Sequence, residues 1–386
     1  MAASTFRRLR DFYERLTEGM ALQDLWNQFK SEVQASYRLY SSEIKPKEFE
    51  QAPRWKRFLR TAGQVFWVML MKLSPARRII LLLSLLLIVA AETQPKGNGP
   101  SPALYGALGL LLVLATELAD RVTMKRDLEI ARDIQRWLLP ADPPNVPGFD
   151  IAFATRSANT VGGDYYDVIQ RVAEHGGATR ERFLLVVADV AGKSVPAALL
   201  MATFQSSLQA LVTDSLSLSE LVIHLNRYSC SRSRGGLSFT TAFFAELDTE
   251  SRTLLYINAG HNYPICRRSF CAVERLKAGG IPLGVRTDAV YETGTASLEP
   301  GDLLVIFTDG VVEAVNDRGE EYGDARLVSL IGQKPEESAK ETVRRLMADL
   351  DAFVGSARQH DDLTVLIARA TAFKSERPGG PFGTAL

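Results

Sequence analysis

The sequence predicts an α+β fold beyond about residue 140. Short apolar runs with the length of strands alternate there with longer segments of helical periodicity. The polar segment 248–252 between two of the runs is typical of a hairpin connection, which favours largely antiparallel sheets. The predicted strands are 183–188, 241–247, 253–258, 303–308 and 364–368, and the predicted helices are 196–212, 219–229 and 336–353.

The two ends of the chain are predicted to lie outside this fold. Residues 1–75 form a cytoplasmic helical region in this prediction, because apolar residues recur at roughly helical spacing between positions 11 and 39. No recognisable sensor motif accompanies that pattern. Residues 373–386 are polar and rich in glycine and proline, so the tail is expected to be disordered.

Two apolar runs, 79–91 and 102–116, lie between the N-terminal region and the α+β part. Each is shorter than the roughly 20 residues that a membrane-spanning helix needs. Residues 51–78 carry seven basic side chains and no acidic one, and basic residues also follow the second run. Basic flanks on both outer sides predict a transmembrane hairpin over residues 76–119 in the inner membrane, with both ends in the cytoplasm. A hairpin lying in the membrane plane or in a protein core is the alternative.

A continuous helix is predicted for residues 120–140, which link the hairpin to the α+β part. The stretch 117–139 contains no glycine or proline and ends before Pro140. Apolar residues recur along it at steps of three and four, as an intermittent seam. The seam is equally compatible with packing on its own domain and with a parallel contact to a second copy, so a homodimer is one of two open alternatives.

Acidic residues occur beside several of the predicted strands. They are Asp189 after the first strand, Asp309 after the fourth, Asp361 and Asp362 before the fifth, and Asp164 after a pair of glycines. Each one alone is typical of a turn or a helix cap. Taken together, carboxylates at strand ends predict a site for a hard cation, which prefers oxygen ligands.

Composition and missing motifs exclude several classes of protein. The 386 residues carry a formal net charge of zero, so nucleic-acid binding is not expected. The three cysteines lack a paired CxxC spacing, which argues against a disulfide framework or a zinc site. The sequence has neither a Walker-type phosphate loop nor a Gly-x-Ser-x-Gly elbow, so kinase, ATPase and covalent serine mechanisms are not expected.

Seven short motifs follow one another between about residues 131 and 369. They are ARDIQRWLLP at 131–140, VGGDYYD at 161–167, DVAGK at 189–193 with PAALLM at 196–201, NAGHN at 258–262, GIPLG at 280–284, TDG at 308–310 and HDD at 360–362. This set resembles the metal-dependent protein phosphatase superfamily (PPM, protein phosphatase 2C type), and specifically its bacterial SpoIIE-like branch. The resemblance implies a catalytic domain over residues 141–372, in which two antiparallel β-sheets pack as a sandwich flanked by helices.

The resemblance also implies roles for the acidic residues. Asp189 would bridge two divalent cations, Mn²⁺ or Mg²⁺, and Val190 would offer its carbonyl oxygen. Asp309 and Asp361 would hold the second cation, and Asp164 would bind through water or complete the first site. Asp189 and Asp309 are therefore the expected catalytic residues.

Four neighbouring residues have weaker assignments. Gly162 and Gly163 would let the backbone approach a cation or a phosphate, although a glycine pair is commonly just a turn. His261 would orient a water or act as a general acid, unless it is only a hydrogen-bonding loop histidine. Asp362 is the less certain carboxylate of its pair, since only one of the two need face the site.

The sequence departs from the family pattern at two points. Ser194 stands where the family has glycine, and a serine there would strain the turn if its φ is positive. In addition, no counterpart is identifiable for the arginine that binds phosphate in many eukaryotic relatives.

The function that the resemblance implies is that of a membrane-anchored, metal-dependent phosphatase. Its substrate would be a phosphorylated serine or threonine of a small regulatory protein, an anti-anti-sigma factor of the STAS type by analogy. One alternative is a weakly active or inactive phosphatase-fold scaffold that binds a signalling partner at the membrane. Another is a membrane anchor whose function lies in residues 1–58.

Overall fold

The computed structural model describes residues 63–64, 66–92, 101–175, 178–212, 216–233 and 238–372. The helices predicted between positions 11 and 39 and the disorder predicted for 373–386 lie outside these residues. The chain divides into two compact units, Met1–Thr123 and Met124–Leu386.

The first unit contains helix α1, Pro75–Ala91, and most of helix α2, Pro102–Leu138. Helix α2 runs without interruption through the second apolar run and the predicted linker, and the division between the two compact units falls within it, after Thr123. Within the described part of the chain, α2 is the one helix long and apolar enough to cross a membrane, with a mean hydropathy of 1.7 over 18 residues. Helix α1 has 17 residues. The membrane hairpin therefore stays a prediction.

Small residues bring the two helices of the first unit close together. A Cβ atom added at Gly109 would lie 2.1 Å from Ser84 Oγ, and one added at Gly106 would lie 2.6 Å from the Ser84 carbonyl oxygen. Contacts of this kind let helix backbones approach closely, and they are common in membrane-embedded helix pairs. Arg77 at the start of α1 pairs with Glu117 of α2 at 3.1 Å. The two apolar runs thus form the paired helices that a hairpin requires.

The second unit contains two β-sheets. Its strands are β1 Phe149–Arg156, β2 Tyr165–His175, β3 Ala178–Val190, β4 Thr240–Asp248, β5 Thr253–Ala259, β6 Ile265–Arg267, β7 Val273–Arg275, β8 Gly279–Gly280, β9 Gly294–Ser297, β10 Leu303–Phe307 and β11 Leu363–Ala370. One sheet has the order β1-β11-β10-β6-β7 and is antiparallel throughout. The other has the order β2-β3-β4-β5-β8, with β9 also paired to β5, and its β5–β8 pair is parallel.

Helices cover the outer faces of both sheets. They are α3 Val195–Leu211, α4 Leu218–Arg232, α5 Asp309–Val312, α6 Asp324–Gly332 and α7 Ala339–Val354. A buried cluster between the sheets contains Phe183, Leu185 and Val187 of β3, whereas Leu184, Val186 and Ala188 pack with α3 and α4. The outer face of the other sheet packs on α6 and α7. A strand buried on both faces has a continuous apolar sequence, which explains the uninterrupted run 183–188.

The observed architecture confirms the predicted α+β sandwich with helices outside. The segment 248–252 connects β4 to β5 as an antiparallel hairpin, as expected. At one end of the sandwich, the start of β2 pairs with the end of β3, where Tyr165 lies opposite Ala188. The end of β10 pairs with the start of β11, where Phe307 lies opposite Val365. These four chain segments carry the predicted acidic residues.

Candidate active site

The predicted acidic residues meet at this end of the sandwich. Burial, together with the charges of Asp309, Asp361 and Asp362, raises the pKa of Asp189 to about 7. Burial and then the charge of Asp189 raise the pKa of Asp164 well above its ordinary range. Burial also raises the pKa of Asp309 and of Asp362. Carboxylates that are buried together resist ionisation unless a cation lies near them, so the cluster favours cation binding.

Asp164 immediately precedes β2 and is 5% exposed. Thr308 Oγ1 donates to Asp164 Oδ2 at 2.9 Å and accepts a hydrogen bond from the Thr364 backbone amide at 2.9 Å. Among the described residues, Asp164 Oδ1 has no hydrogen-bond partner. A buried acceptor without a donor is costly, and a cation would satisfy it. The sequence prediction missed the role of Thr308, although the Thr-Asp-Gly motif contains it.

Asp189 and Val190 lie at the end of β3, against the glycine pair. A Cβ atom at Gly163 would lie 2.9 Å from the Val190 carbonyl oxygen and 3.7 Å from Asp189 Oδ1. A Cβ atom at Gly162 would lie 2.5 Å from Asp362 Oδ2. Both glycines therefore allow the backbone before Asp164 to approach the acidic groups more closely than any other residue could.

The adjacent Asp361 and Asp362 have different partners. Asp362 accepts hydrogen bonds from two backbone amides, Ala158 N at 2.8 Å and Gly163 N at 2.6 Å. Asp361 Oδ2 lies 2.9 Å from Lys193 Nζ. Asp362 thus holds two loop amides in place, while Asp361 forms an ion pair with an exposed lysine.

Asp309 is the first residue of α5 and is separated from the end of β10 by Thr308 alone. The next residue, Gly310, packs so tightly that a Cβ atom there would lie 2.0 Å from the Asp362 carbonyl oxygen. The Thr-Asp-Gly turn therefore lies against the Asp361–Asp362 pair. This contact places the Asp309 carboxylate next to those two acidic residues.

Gln135, near the end of α2, contacts the same region within the second unit. Its Nε2 donates to the Gly162 carbonyl oxygen at 2.7 Å, and the Gly162 amide donates to its Oε1 at 3.1 Å. The side chain is buried, with 8% exposed. Gln135 belongs to the motif at 131–140, but its role is not visible in the sequence, because only the folded chain brings it to Gly162.

His261 is buried, and its described contacts are local. Its Nδ1 lies 3.0 Å from Thr241 Oγ1, and its backbone amide donates to Asn258 Oδ1 at 2.7 Å. Thr241 lies opposite Asp189 in the β3–β4 ladder. Burial lowers the pKa of His261 to about 4, so the ring is neutral near pH 7. The water-orienting or general-acid role of His261 stays a prediction.

Ser194 adopts the strained conformation that the sequence analysis considered. Its φ is 63° and its ψ is −143°, a region that glycine occupies far more readily than other residues. We expect Ser194→Gly to stabilise the protein by roughly 1–3 kcal/mol, because it removes this strain. Thermal unfolding measures the change, and Ser251→Gly is the control, because the φ of Ser251 itself is not positive. An unchanged or lower unfolding temperature for Ser194→Gly would contradict the strain argument.

The donors at this site suit a hydrated divalent cation. Among the described residues, no three His, Cys, Asp or Glu side chains are close enough to hold an ion between them. The available donors are nevertheless all oxygens, and the buried Asp164 Oδ1 lacks a partner. Mg²⁺ and Mn²⁺ favour oxygen ligands, and Mg²⁺ usually keeps several of its waters. The residues present therefore fit such an ion.

Comparisons with known proteins agree with this arrangement. The family model described as Stage II sporulation protein E (SpoIIE) matches residues 179–371. RsbU of Bacillus subtilis, named a phosphoserine phosphatase, is 30% identical over 251 residues, which cover 64% of this chain and 70% of RsbU. RsbP of the same organism, also named a phosphoserine phosphatase, is 26% identical over 50% of this chain, and the match spans only 47% of RsbP.

A solved structure supports the fold. The SiaA-PP2C domain of Pseudomonas aeruginosa matches with a TM-score of 0.55 at 22% identity, covering 65% of this chain and 98% of that domain. The sandwich, the acidic residues at one end of it and the two sequence matches agree with one another. The chain therefore belongs to the SpoIIE family.

Proposed function

We propose that this chain is a metal-dependent protein phosphatase that hydrolyses phosphoserine or phosphothreonine in a small regulatory protein. The observation that carries the proposal is the group of five acidic residues around the unpartnered Asp164 Oδ1. A dianionic phosphate could not approach such a group unless cations neutralised it. Cation binding and phosphate chemistry are therefore expected at the same place.

The chain's own oxygens supply the ligands in this proposal. Asp189, Asp309 and Asp361 would hold the cations, Val190 would contribute its carbonyl oxygen, and Asp164 would bind directly or through water. When bound, two Mn²⁺ or Mg²⁺ ions supply an activated water and neutralise charge on the phosphoryl group. Asp189 and Asp309 are the proposed catalytic residues, because each lies beside the end of a central strand and its charge is close to Asp361 and Asp362.

The surrounding residues set the geometry. Asp362 holds the amide of Gly163, and Gln135 holds both backbone groups of Gly162, so the segment that presents Asp164 is fixed from two sides. Thr308 fixes the Asp164 carboxylate itself. Ligands fixed in this way bind a cation without further ordering of the chain.

The relatives indicate the class of substrate. RsbU and RsbP are both named phosphoserine phosphatases. We infer by analogy that this chain acts on a phosphorylated regulatory protein, an anti-anti-sigma factor of the STAS type. The match spans less than half of RsbP. The proposed substrate protein is therefore inferred from the catalytic region of this chain alone.

We also infer a membrane location. The packing of Ser84 against Gly106 and Gly109 and the length of α2 support a transmembrane hairpin in the inner membrane, with the catalytic unit in the cytoplasm. On the part of α2 that lies in the second unit, Ile134 is 49% and Trp137 83% exposed. An exposed apolar seam of this kind supports a homodimer through the linker helix.

Hydrolysis of a phosphoserine peptide by the full chain in detergent tests the proposed activity. We expect turnover with Mn²⁺ or Mg²⁺, none with EDTA, and none from Asp309→Asn with either metal. Asp288→Asn is the matched control, since Asp288 is 70% exposed and pairs only with Arg286 among its described contacts. A folded protein that is inactive with every metal, yet still binds a phosphorylated STAS protein, would favour the scaffold alternative.

A further inference from the structure

Lys193 places a positive charge beside the carboxylate cluster. It lies in the turn after β3, between Gly192 and Ser194, which both have positive φ. Its Nζ lies 2.9 Å from Asp361 Oδ2 and donates to the His360 carbonyl oxygen at 2.7 Å. The side chain therefore connects a turn at the end of one sheet with the loop before β11 in the other.

Lys193 also borders a cavity of about 500 Å³ next to the cluster. Gly310 and Asp361 line the same cavity, so it borders the acidic cluster at Asp361. Its volume is in the range of small-molecule sites and exceeds what a phosphoserine side chain needs. Arg156, another basic residue of this cavity, is paired with Asp351 at 2.5 Å.

The side chain of Lys193 is exposed enough to exchange its hydrogen-bond partners. It is 57% exposed, so its ammonium group can change partners without being buried. An exposed lysine at the boundary between acidic residues and a cavity is well placed to meet an incoming anion.

We propose that Lys193 is the phosphate-binding side chain of this active site. Asp361 holds Lys193 while no divalent cation is bound there, and Lys193 moves to the phosphoryl oxygens of the substrate when a cation takes Asp361. Lysine and a cation would compete for the same carboxylate, so the exchange would couple metal binding to substrate binding. The lysine fills the role for which no arginine was identifiable in the sequence. The inference rests on the proposed phosphatase function.

Three variants of the full chain in detergent test this role. Lys193→Met removes the charge and keeps the length of the side chain, and Lys193→Arg keeps the charge. Lys334→Met is the matched control, because Lys334 is 62% exposed and pairs with Glu337 at 3.2 Å on another surface. Calorimetry measures the Kd for inorganic phosphate with saturating Mg²⁺. The electron paramagnetic resonance signal of free Mn²⁺ measures metal affinity, and peptide hydrolysis separates KM from kcat.

We expect Lys193→Met to weaken phosphate binding about tenfold and to raise KM similarly, as the loss of one charge-assisted hydrogen bond predicts. Mn²⁺ should bind more tightly to this variant, because the competing ammonium is gone. Lys193→Arg should keep phosphate affinity within about threefold of the wild type, because it keeps the charge, and Lys334→Met should match the wild type.

Two outcomes separate this inference from the proposed function. If wild type hydrolyses the peptide and binds phosphate, but Lys193→Met does so equally well, Lys193 has no such role and the phosphatase stands. The same holds if Mn²⁺ binds less tightly to Lys193→Met, since the lysine would then not compete with the cation. If wild type neither hydrolyses the peptide nor binds phosphate with any metal, both proposals are overturned.

Discussion

Replacing Asp189 with asparagine is expected to abolish hydrolysis while making the metal-free protein more stable. Asp189 is the proposed bridging ligand, and an amide cannot supply its charge, so activity should fall on the order of 10³-fold or more. In the absence of metal, however, the Asp189 charge is buried beside Asp309, Asp361 and Asp362. Asparagine removes this repulsion at almost the same side-chain volume.

The gain in stability should depend on pH. The folded-state pKa of Asp189 is about 7, against an ordinary value of 3.8, so the folded protein holds this proton more tightly than the unfolded chain. The metal-free wild type should therefore lose stability as pH rises from about 4 to 7, whereas the variant lacks this loss. Above pH 7 the difference should reach roughly 1–3 kcal/mol in the free energy of unfolding.

Denaturant unfolding in EDTA at several pH values measures the difference, with Asp288→Asn as the control. Excess Mn²⁺ should reverse the order, because it stabilises the wild type and not Asp189→Asn. Equal stability of the two proteins in EDTA at pH 8 would show that charge repulsion within the acidic cluster does not destabilise the metal-free protein. Retained activity in the variant would remove Asp189 from the mechanism.

Gln135→Ala is expected to lower both stability and activity. It leaves the amide and the carbonyl of Gly162 without their partner in a buried place, which costs roughly 1–3 kcal/mol. The segment that presents Asp164 then loses one of its two supports, so metal affinity should weaken and turnover at limiting Mn²⁺ should fall about tenfold or more.

Titration of activity with Mn²⁺ shows whether the defect lies in metal affinity. Arg136→Ala is the control, since Arg136 is the exposed neighbour on the same helix. Gln135→Glu separates the two hydrogen bonds, because a carboxylate can still accept from the Gly162 amide but cannot donate to its carbonyl. A wild-type metal titration for Gln135→Ala would show that α2 does not support the site.

Much of the fold could be predicted, because long apolar segments indicate which parts of the chain form buried strands and helices. The run 183–188 predicted a buried strand, and the structure shows why it does not alternate, since both its faces are covered. The short strands β6 to β9 were missed, because two to four residues carry too little periodicity to be recognised. Helix α6 was missed as well, because its nine residues also show too little periodicity to be recognised.

Prediction of the site was limited by long-range contacts. Acidic residues beside strand ends are visible in the sequence, so the cluster could be expected from spacing and motifs. The hydrogen-bond and ion-pair partners of those residues could not be predicted from the sequence. Gln135 lies 27 positions from Gly162, and Lys193 lies 167 positions from His360, so only the folded chain shows that they meet. The different partners of Asp361 and Asp362 depend on loop geometry that adjacent acidic residues do not encode.

The two hydrogen bonds of Asp362 have a consequence for local unfolding. Its carboxylate accepts hydrogen bonds from the backbone amides of Ala158 and Gly163. Ala158 follows β1 in one sheet, and Gly163 precedes β2 in the other. Movement of the Asp362 side chain would release both amides at once, so their hydrogen-exchange rates should rise and fall together. We expect this end of the sandwich to open as one cooperative unit that includes segments of both sheets.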